Sequence, residues 1–210
     1  MTGGQEITVY SAASPAAVLV LGHGAGAGQQ SPFMVRFARG MASRGVTAVT
    51  FDFPYMPARR KVPDRAPVLE ASWRQAIEAT RAQIGGEPLF IGGKSLGGRI
   101  ASHVAAQGGV GIRGLVFLGY PLHPPGKPEQ RRDAHLPQIA APMLFVQGTR
   151  DPFGTADEIR ALLPSLQRAE LHEIAGGDHS LKVSGRPGVM QDEVIDAVRG
   201  FMTRVHDGGL

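Results

Sequence analysis

A chain of 210 residues is long enough to bury a sizeable core and is expected to form a single domain over residues 1–210. Its 42% apolar content includes no run near the roughly 18 residues of a membrane span, and the absence of cysteine excludes disulfides, thiolate nucleophiles and cysteine-held metals. Its net charge of +4 favours anions only weakly; the doublets Arg59-Arg60 and Arg131-Arg132 lie in polar, proline-bearing segments without interleaved aromatics, so neither nucleic acid nor membrane is an expected partner.

Met1-Thr2-Gly3-Gly4-Gln5-Glu6 holds no basic region followed by an apolar run, so no secretory leader is expected and the cytoplasm is the expected location. Ile7 to Tyr10 reads as a more polar strand, suited to an antiparallel sheet edge. Ala17 to Leu21 is the first continuous apolar strand. Phe33, Phe37 and Met41 then share a helix face behind Ser31-Pro32, a cap followed by proline at the first helical position, with Gly45 placed to end the segment. Val46 to Phe51 is a strand. Leu69, Trp73, Ile77 and Ile84 form a helical stripe introduced by Pro67, in which Trp73 needs only a packing role.

Pro88 to Ile91 is the next strand, followed beyond Ser95 by a helix over Ile100 to Ala106. Gly114 to Leu118 is a strand, and Pro121 to Pro128 reads as a rigid surface loop. Strands at Met143 to Val146 and Ala169 to Ile174 flank a helix at about Thr155 to Leu163, and Val194, Val198, Phe201 and Val205 line a last helix over Val189 to Val205. Nearly continuous apolar strands alternating with helices imply an α/β fold: a doubly wound, mostly parallel sheet with helices on both faces.

Gly93-Lys94-Ser95-Leu96-Gly97 follows a strand and opens a helix. A serine on such a turn stands above the sheet, small residues two before and two after it relieve the clash, and the helix start offers free N–H donors and its positive end. A serine needs a base, and the base a carboxylate that orients it. His179 lies in the glycine-rich turn after the last strand. His172 lies within a strand, His103 within a helix and His206 in the tail, whereas His123 and His135 stand where either could line a pocket. Asp151 follows the Met143 strand through Gly148-Thr149-Arg150; Asp52, also at a strand's carboxyl end, is its rival, and Asp178 reads as a turn residue. For the oxyanion the expected donors are the backbone N–H groups of Leu96 and, in Gly22-His23-Gly24-Ala25-Gly26-Ala27-Gly28, of Ala25, with His23 pinning that loop. Gln29 stands where a dinucleotide-binding loop would need its third glycine.

These four segments, in the order Gly22 to Gly26, Gly93 to Gly97, Gly148 to Asp151 and Gly177 to Ser180, resemble the α/β-hydrolase superfamily, and the chain is similar to its small, lidless, dienelactone-hydrolase-like esterase branch from about Val9 to Val205. The resemblance implies acyl transfer to Ser95 and then to water, with His179 as base and then acid, Asp151 as its orienter, Ala25 and Leu96 as oxyanion donors, and no cofactor or metal. The implied partners are a small-molecule ester and water, with the oligomeric state left open. Dienelactone hydrolases use cysteine as nucleophile, so Ser95 argues against dienelactone as the substrate. The superfamily often inserts a cap at the position following Leu118. The short, proline-rich connection to Met143 leaves no room for one, so a shallow cleft is expected, bordered by Phe53-Pro54-Tyr55-Met56, Pro121-Leu122-His123 and Phe153. A catalytically silent scaffold and a serine peptidase are the rival readings; no H-E-x-x-H cluster supports a metal-dependent hydrolase, and a haloalkane-processing enzyme would want a carboxylate at position 95.

Overall fold

A computed structural model describes residues 5–185 and 189–209, the side chains of 189 to 191 aside; Met1 to Gly4, which enter the expectation about a leader, lie outside the described residues. Along the chain run β1 (Ile7–Tyr10), β2 (Ala17–Gly22), α1 (Pro32–Ala42), β3 (Val46–Phe51), α2 (Ala66–Ile84), β4 (Leu89–Lys94) and α3 (Leu96–Ala106). There follow β5 (Gly114–Leu118), β6 (Met143–Gly148), α4 (Ala156–Leu162), β7 (Ala169–Ile174) and α5 (Val189–His206), with short 3-10 turns at Leu136–Gln138 and Leu163–Ser165.

The seven strands form one sheet in the order β1-β3-β2-β4-β5-β6-β7. Only β1 is antiparallel, with Ile7 opposite Phe51 and Tyr10 opposite Ala48 at the sheet's edge. The parallel strands β2 to β6 are buried along almost their whole length, as strands covered on both faces must be. Successive residues of β2 alternate between two cores. Val18 and Val20 join Trp73, Ile77, Ile100 and Val104 from α2 and α3. Leu19 and Leu21 join Phe37, Met41, Val198 and Phe201 from α1 and α5.

The helix boundaries follow local chemistry. Pro32 opens α1 where a missing N–H costs nothing, although the Ser31 side chain makes no cap bond, contrary to the sequence expectation. Thr155 caps α4 in a reciprocal box, accepting from Glu158 N–H at 3.3 Å while its own N–H donates to the Glu158 carboxylate at 2.8 Å. That box fixes the chain just after Asp151.

The order of the strands decides where a site can form. The loop after β2 turns to α1 on one face of the sheet, whereas the turn after β4 leads to α3 on the other. Because β2 and β4 are neighbours, the two chains part at their carboxyl ends and leave a crevice there.

No α-helix stands between β5 and β6 among the described residues, so no helical cap covers this edge. The segment that replaces one is a surface loop only in part: Pro125 to Pro128 are exposed and Pro124 is partly open, but its two ends turn inward. Pro121, Leu122 and His123 are buried, and Leu122, Leu136 and Ile139 belong to the α2–α3 core. Prolines stiffen a segment but do not keep it in water; three apolar side chains here gain more by packing than by exposure.

Candidate active site

β4 ends directly at Ser95, whose φ of 49° and ψ of −113° place a side-chain-bearing residue in strained backbone. The strain is held by backbone packing. A Cβ on Gly97 would lie 2.0 Å from the carbonyl oxygen of Gly22, and one on Gly93 would lie 2.1 Å from the same atom. Only hydrogen at both positions lets the strand-to-helix turn close onto β2. The indole N–H of buried Trp73 donates to the Gly97 carbonyl at 3.1 Å, and Ser95 N–H donates to Leu118 O at 3.1 Å, tying the turn to α2 and β5.

Above that turn the structure brings three separated side chains into one hydrogen-bonded line. His179 Nε2 lies 2.8 Å from Ser95 Oγ, and His179 Nδ1 lies 2.7 Å from Asp151 Oδ2. Asp151 is 1% exposed, and both its oxygens accept from elsewhere as well: Oδ1 from Phe153 N–H at 2.8 Å and Oδ2 from the Gln147 amide at 2.9 Å. The carboxyl group therefore acts as an acceptor only, which puts the ring proton on Nδ1 and leaves Nε2 to accept from the serine hydroxyl. Phe153 stacks on the imidazole at a centroid distance of 4.1 Å.

The Asp151 and His179 loops are joined to each other before either reaches Ser95. Arg150 N–H donates to Gly177 O at 2.9 Å, Thr149 N–H to Ile174 O at 3.0 Å, and Gly176 N–H to Thr149 Oγ1 at 2.8 Å. Asp178 turns the loop beyond, its Oδ1 accepting from Ser180 and Lys182 N–H at 2.8 and 2.9 Å, as a turn residue should.

Leu96 opens α3, so its N–H is among those with no acceptor inside the helix and stands at the helix's positive end. The Gly22–Gly28 loop lies alongside: a Cβ on Gly24 would be 3.8 Å from the Ser95 Cβ. Ala25 follows Gly24 on its exposed crest. His23 is fully buried beneath, its Nδ1–H donating to Gly24 O at 2.8 Å while Nε2 accepts from Phe53 N–H at 3.1 Å. Burial lowers its pKa, so the ring stays neutral and holds the loop. Asp52 is engaged in the same structure, accepting Gln29 N–H at 2.8 Å and the Gln29 amide at 3.3 Å, which removes it as an orienter of His179.

The remaining histidines lie elsewhere. His135 bonds Ser102 Oγ at 2.7 Å, and burial, with His103 and Arg99 nearby, pushes its pKa down to about 4. His103 pairs with Glu70 at 3.0 Å, and His172 with Glu193 at 3.2 Å. His123 stands 3.1 Å from Glu158, and its backbone N–H donates to Phe153 O at 3.0 Å. The expected rim also needs correction. Phe53, Tyr55 and Leu122 are fully buried, so Pro54, Met56 and Phe153 are the apolar residues left partly open at this edge. A cavity of about 390 Å³ opens at the opposite edge, between Val18, Arg81, Leu89 and Arg113, where strands begin, and does not reach Ser95.

Sequence reading passed over Gln147, Lys94 and the indole of Trp73. Gln147 is wholly buried and bonds Tyr120 N–H, Asp151 and Gly154 O; the signal for it was a polar amide placed one residue from the end of an apolar strand.

Residues 15–206 match a protein-family model described as alpha/beta hydrolase domain. Among solved structures the chain is similar to Est1E from Butyrivibrio proteoclasticus with ferulic acid bound, at 14% identity over 95% of this chain and 94% of that chain, TM-score 0.76. It is also similar to dienelactone hydrolase from Anabaena variabilis, at 19% identity over 94% and 90% of the two chains, TM-score 0.75. XC6422 from Xanthomonas campestris, described as a serine hydrolase without lid, aligns at 18% identity over 97% and 88%, TM-score 0.71. At these identities the structural likeness is one of fold, and it agrees with a family match that spans nearly the whole chain: this protein belongs to the alpha/beta hydrolase domain family.

Proposed function

We propose that the protein is a serine hydrolase that cleaves small carboxylic esters, and thioesters of similar size, through an acyl-serine intermediate. The observation that carries this reading is the continuous line from Ser95 Oγ through His179 to buried Asp151, on a strained turn at the start of a helix. In the first half of the reaction Ser95 Oγ bonds to the acyl carbon as its proton passes to His179 Nε2. The negative charge that develops on the carbonyl oxygen is met by the N–H groups of Leu96 and Ala25. Collapse breaks the bond to the leaving alcohol or thiol, which takes the proton from His179. Water then attacks the acyl carbon, again giving its proton to His179, and Ser95 is released with its own proton restored.

Asp151 stabilises the imidazolium that forms in each half, and Phe153 offers that cation the face of an aromatic ring. The uncovered edge and the few partly open apolar side chains, Pro54, Met56 and Phe153, suit a short acyl group better than a long one.

The test is hydrolysis of a p-nitrophenyl ester series beside Ser95→Ala, with an activated phosphonate as covalent probe. Metal-free turnover of acetyl to hexanoyl esters, almost abolished in Ser95→Ala, and phosphonate attached to Ser95 by mass spectrometry are expected. An unlabelled Ser95 would point instead to a silent scaffold, and a steady rise of kcat/KM through dodecanoyl, at about 0.8 kcal/mol for each buried methylene, would reveal a deep acyl channel.

A further inference from the structure

Lys94, the residue between Gly93 and Ser95, takes no part in the steps above, yet it is mostly withdrawn from water. Its stem lies under the Gly24 loop, where a Cβ on Gly24 would be 3.4 Å from Lys94 Cγ. Its ammonium donates to the backbone carbonyl of His179. The space that admits it is made by Gly119, at φ 68°. A Cβ there would lie 2.8 Å from His179 O, 3.2 Å from Lys94 Nζ and 3.6 Å from Asp151 Oδ2. One long side chain thus spans the oxyanion loop, the end of β4 and the His179 loop, with its charge placed behind the carboxyl group that orients the ring.

We propose that Lys94 is a positioning residue that holds the His179 loop over Ser95 through the His179 carbonyl and, by its charge beside Asp151, sets the lower pH limit at which the Ser95–His179 pair works. This rests on the proposed hydrolase reading. The groups facing the ammonium are Asp151, Asp178 and the His179 carbonyl, and among the described residues it makes no direct ion pair with either carboxylate. A cation in this position partly offsets the attraction of Asp151 for an imidazolium on the adjacent ring. Burial, opposed by Asp151 and Asp178, brings the Lys94 pKa down to about 8, so the charge is present below that pH and is lost above it.

Lys94→Gln keeps a donor for the carbonyl without the charge, Lys94→Met removes both, and Lys94→Arg keeps both. The measurements are kcat and KM between pH 5 and 9, the rate of Ser95 phosphonylation over the same range, and thermal unfolding of each variant. In Lys94→Gln and Lys94→Met the acid limb should move up by roughly half a pH unit or more, while Lys94→Arg keeps the wild-type limb. Wild type should outpace Lys94→Gln below pH 7 and converge with it above about pH 8 as Lys94 loses its proton. Lys94→Met should show a further kcat loss of roughly tenfold with KM nearly constant, because the tether is gone. If Lys94→Met does not fold, Lys94→Gln alone decides the charge argument. Superimposable limbs in wild type and Lys94→Gln, with Ser95-dependent turnover intact, overturn the inference and leave the hydrolase reading standing. No labelling of Ser95 in wild type overturns the reading and the inference together.

Discussion

The two halves of the candidate site are held by different physics. On the Ser95 side, the turn is fixed by main chain pressed on main chain, with Gly22, Gly93 and Gly97 in contact where any side chain would collide. On the Asp151 and His179 side, two longer loops are fixed by hydrogen bonds from Gln147, Phe153, Arg150 and Thr149. Steric fixation is all or none, since backbone atoms cannot yield as a side-chain end can. Polar fixation is graded, since each bond contributes about 1 kcal/mol and can be removed singly. Damage to the first half should therefore appear as loss of folding, and damage to the second as loss of rate in a folded protein.

The sharpest way to break this contrast is Gly97→Ala, whose new methyl would sit 2.0 Å from Gly22 O and 2.2 Å from Gly22 C. A destabilisation of about 3 kcal/mol or more is expected, lowering Tm by roughly 10 °C together with loss of activity. A Tm close to wild type would mean that the turn can open without cost. Next comes Asp151→Asn, in which an amide in place of an acceptor favours the wrong ring tautomer. kcat should fall by roughly two to four orders of magnitude with little change in Tm, and a loss of only a few-fold would remove Asp151 from its proposed role.

Gln147→Leu tests the layer behind. It takes a donor from Asp151 and an acceptor from Tyr120 N–H, both buried, so a destabilisation of about 1–3 kcal/mol is expected with kcat reduced roughly tenfold at constant KM. Unchanged kcat in a destabilised variant would show that Gln147 supports the fold without orienting Asp151. The smallest effect belongs to Trp73→Phe, which keeps most of the packing and deletes one bond to the Gly97 carbonyl. About 1 kcal/mol, or 2–4 °C in Tm, should be lost while turnover stays within about threefold. A larger kcat loss would place Trp73 in control of the Ser95 turn itself.

What the sequence makes legible follows the same division. The strand before Ser95, the glycines around it and the loop bearing Asp151 are readable because each lies at the end of an apolar run, and apolar runs mark parallel strands. The His179 loop follows β7, a polar and alternating strand, and is marked instead by Gly176 and Gly177. β1 is readable as an edge strand because Thr8 and the hydroxyl of Tyr10 interrupt its apolar run, and all four of its residues are only partly buried. Contacts between distant segments leave no periodic trace. Leu122 and Tyr55, in proline-bearing loops, look like surface residues and are buried because the Gly154 turn and the His23 ring meet them in space. Gln147 looks like the fraying end of a strand, and Lys94 like the free position of a motif; Tyr120 and His179, which they meet, lie 27 and 85 residues away in the chain. Asp52, readable as a rival for Asp151, is decided by Gln29, a neighbour that only the fold supplies.

The antiparallel course of β1 has a practical consequence for how the protein is handled. Because Ile7 pairs with Phe51 at the carboxyl ends of the parallel strands, the chain enters the sheet from the edge that carries Ser95, with Gln5 bonded to Asp52 O at 3.1 Å. Three strand spacings, roughly 14 Å, separate β1 from β4. α5 finishes at the other edge, where Arg204 meets Glu170 at the start of β7. An affinity tag fused ahead of β1 would emerge on the reaction side and could brush the entrance, whereas one fused after α5 would leave it clear; assays, surface immobilisation and reporter fusions should be built from the carboxyl end.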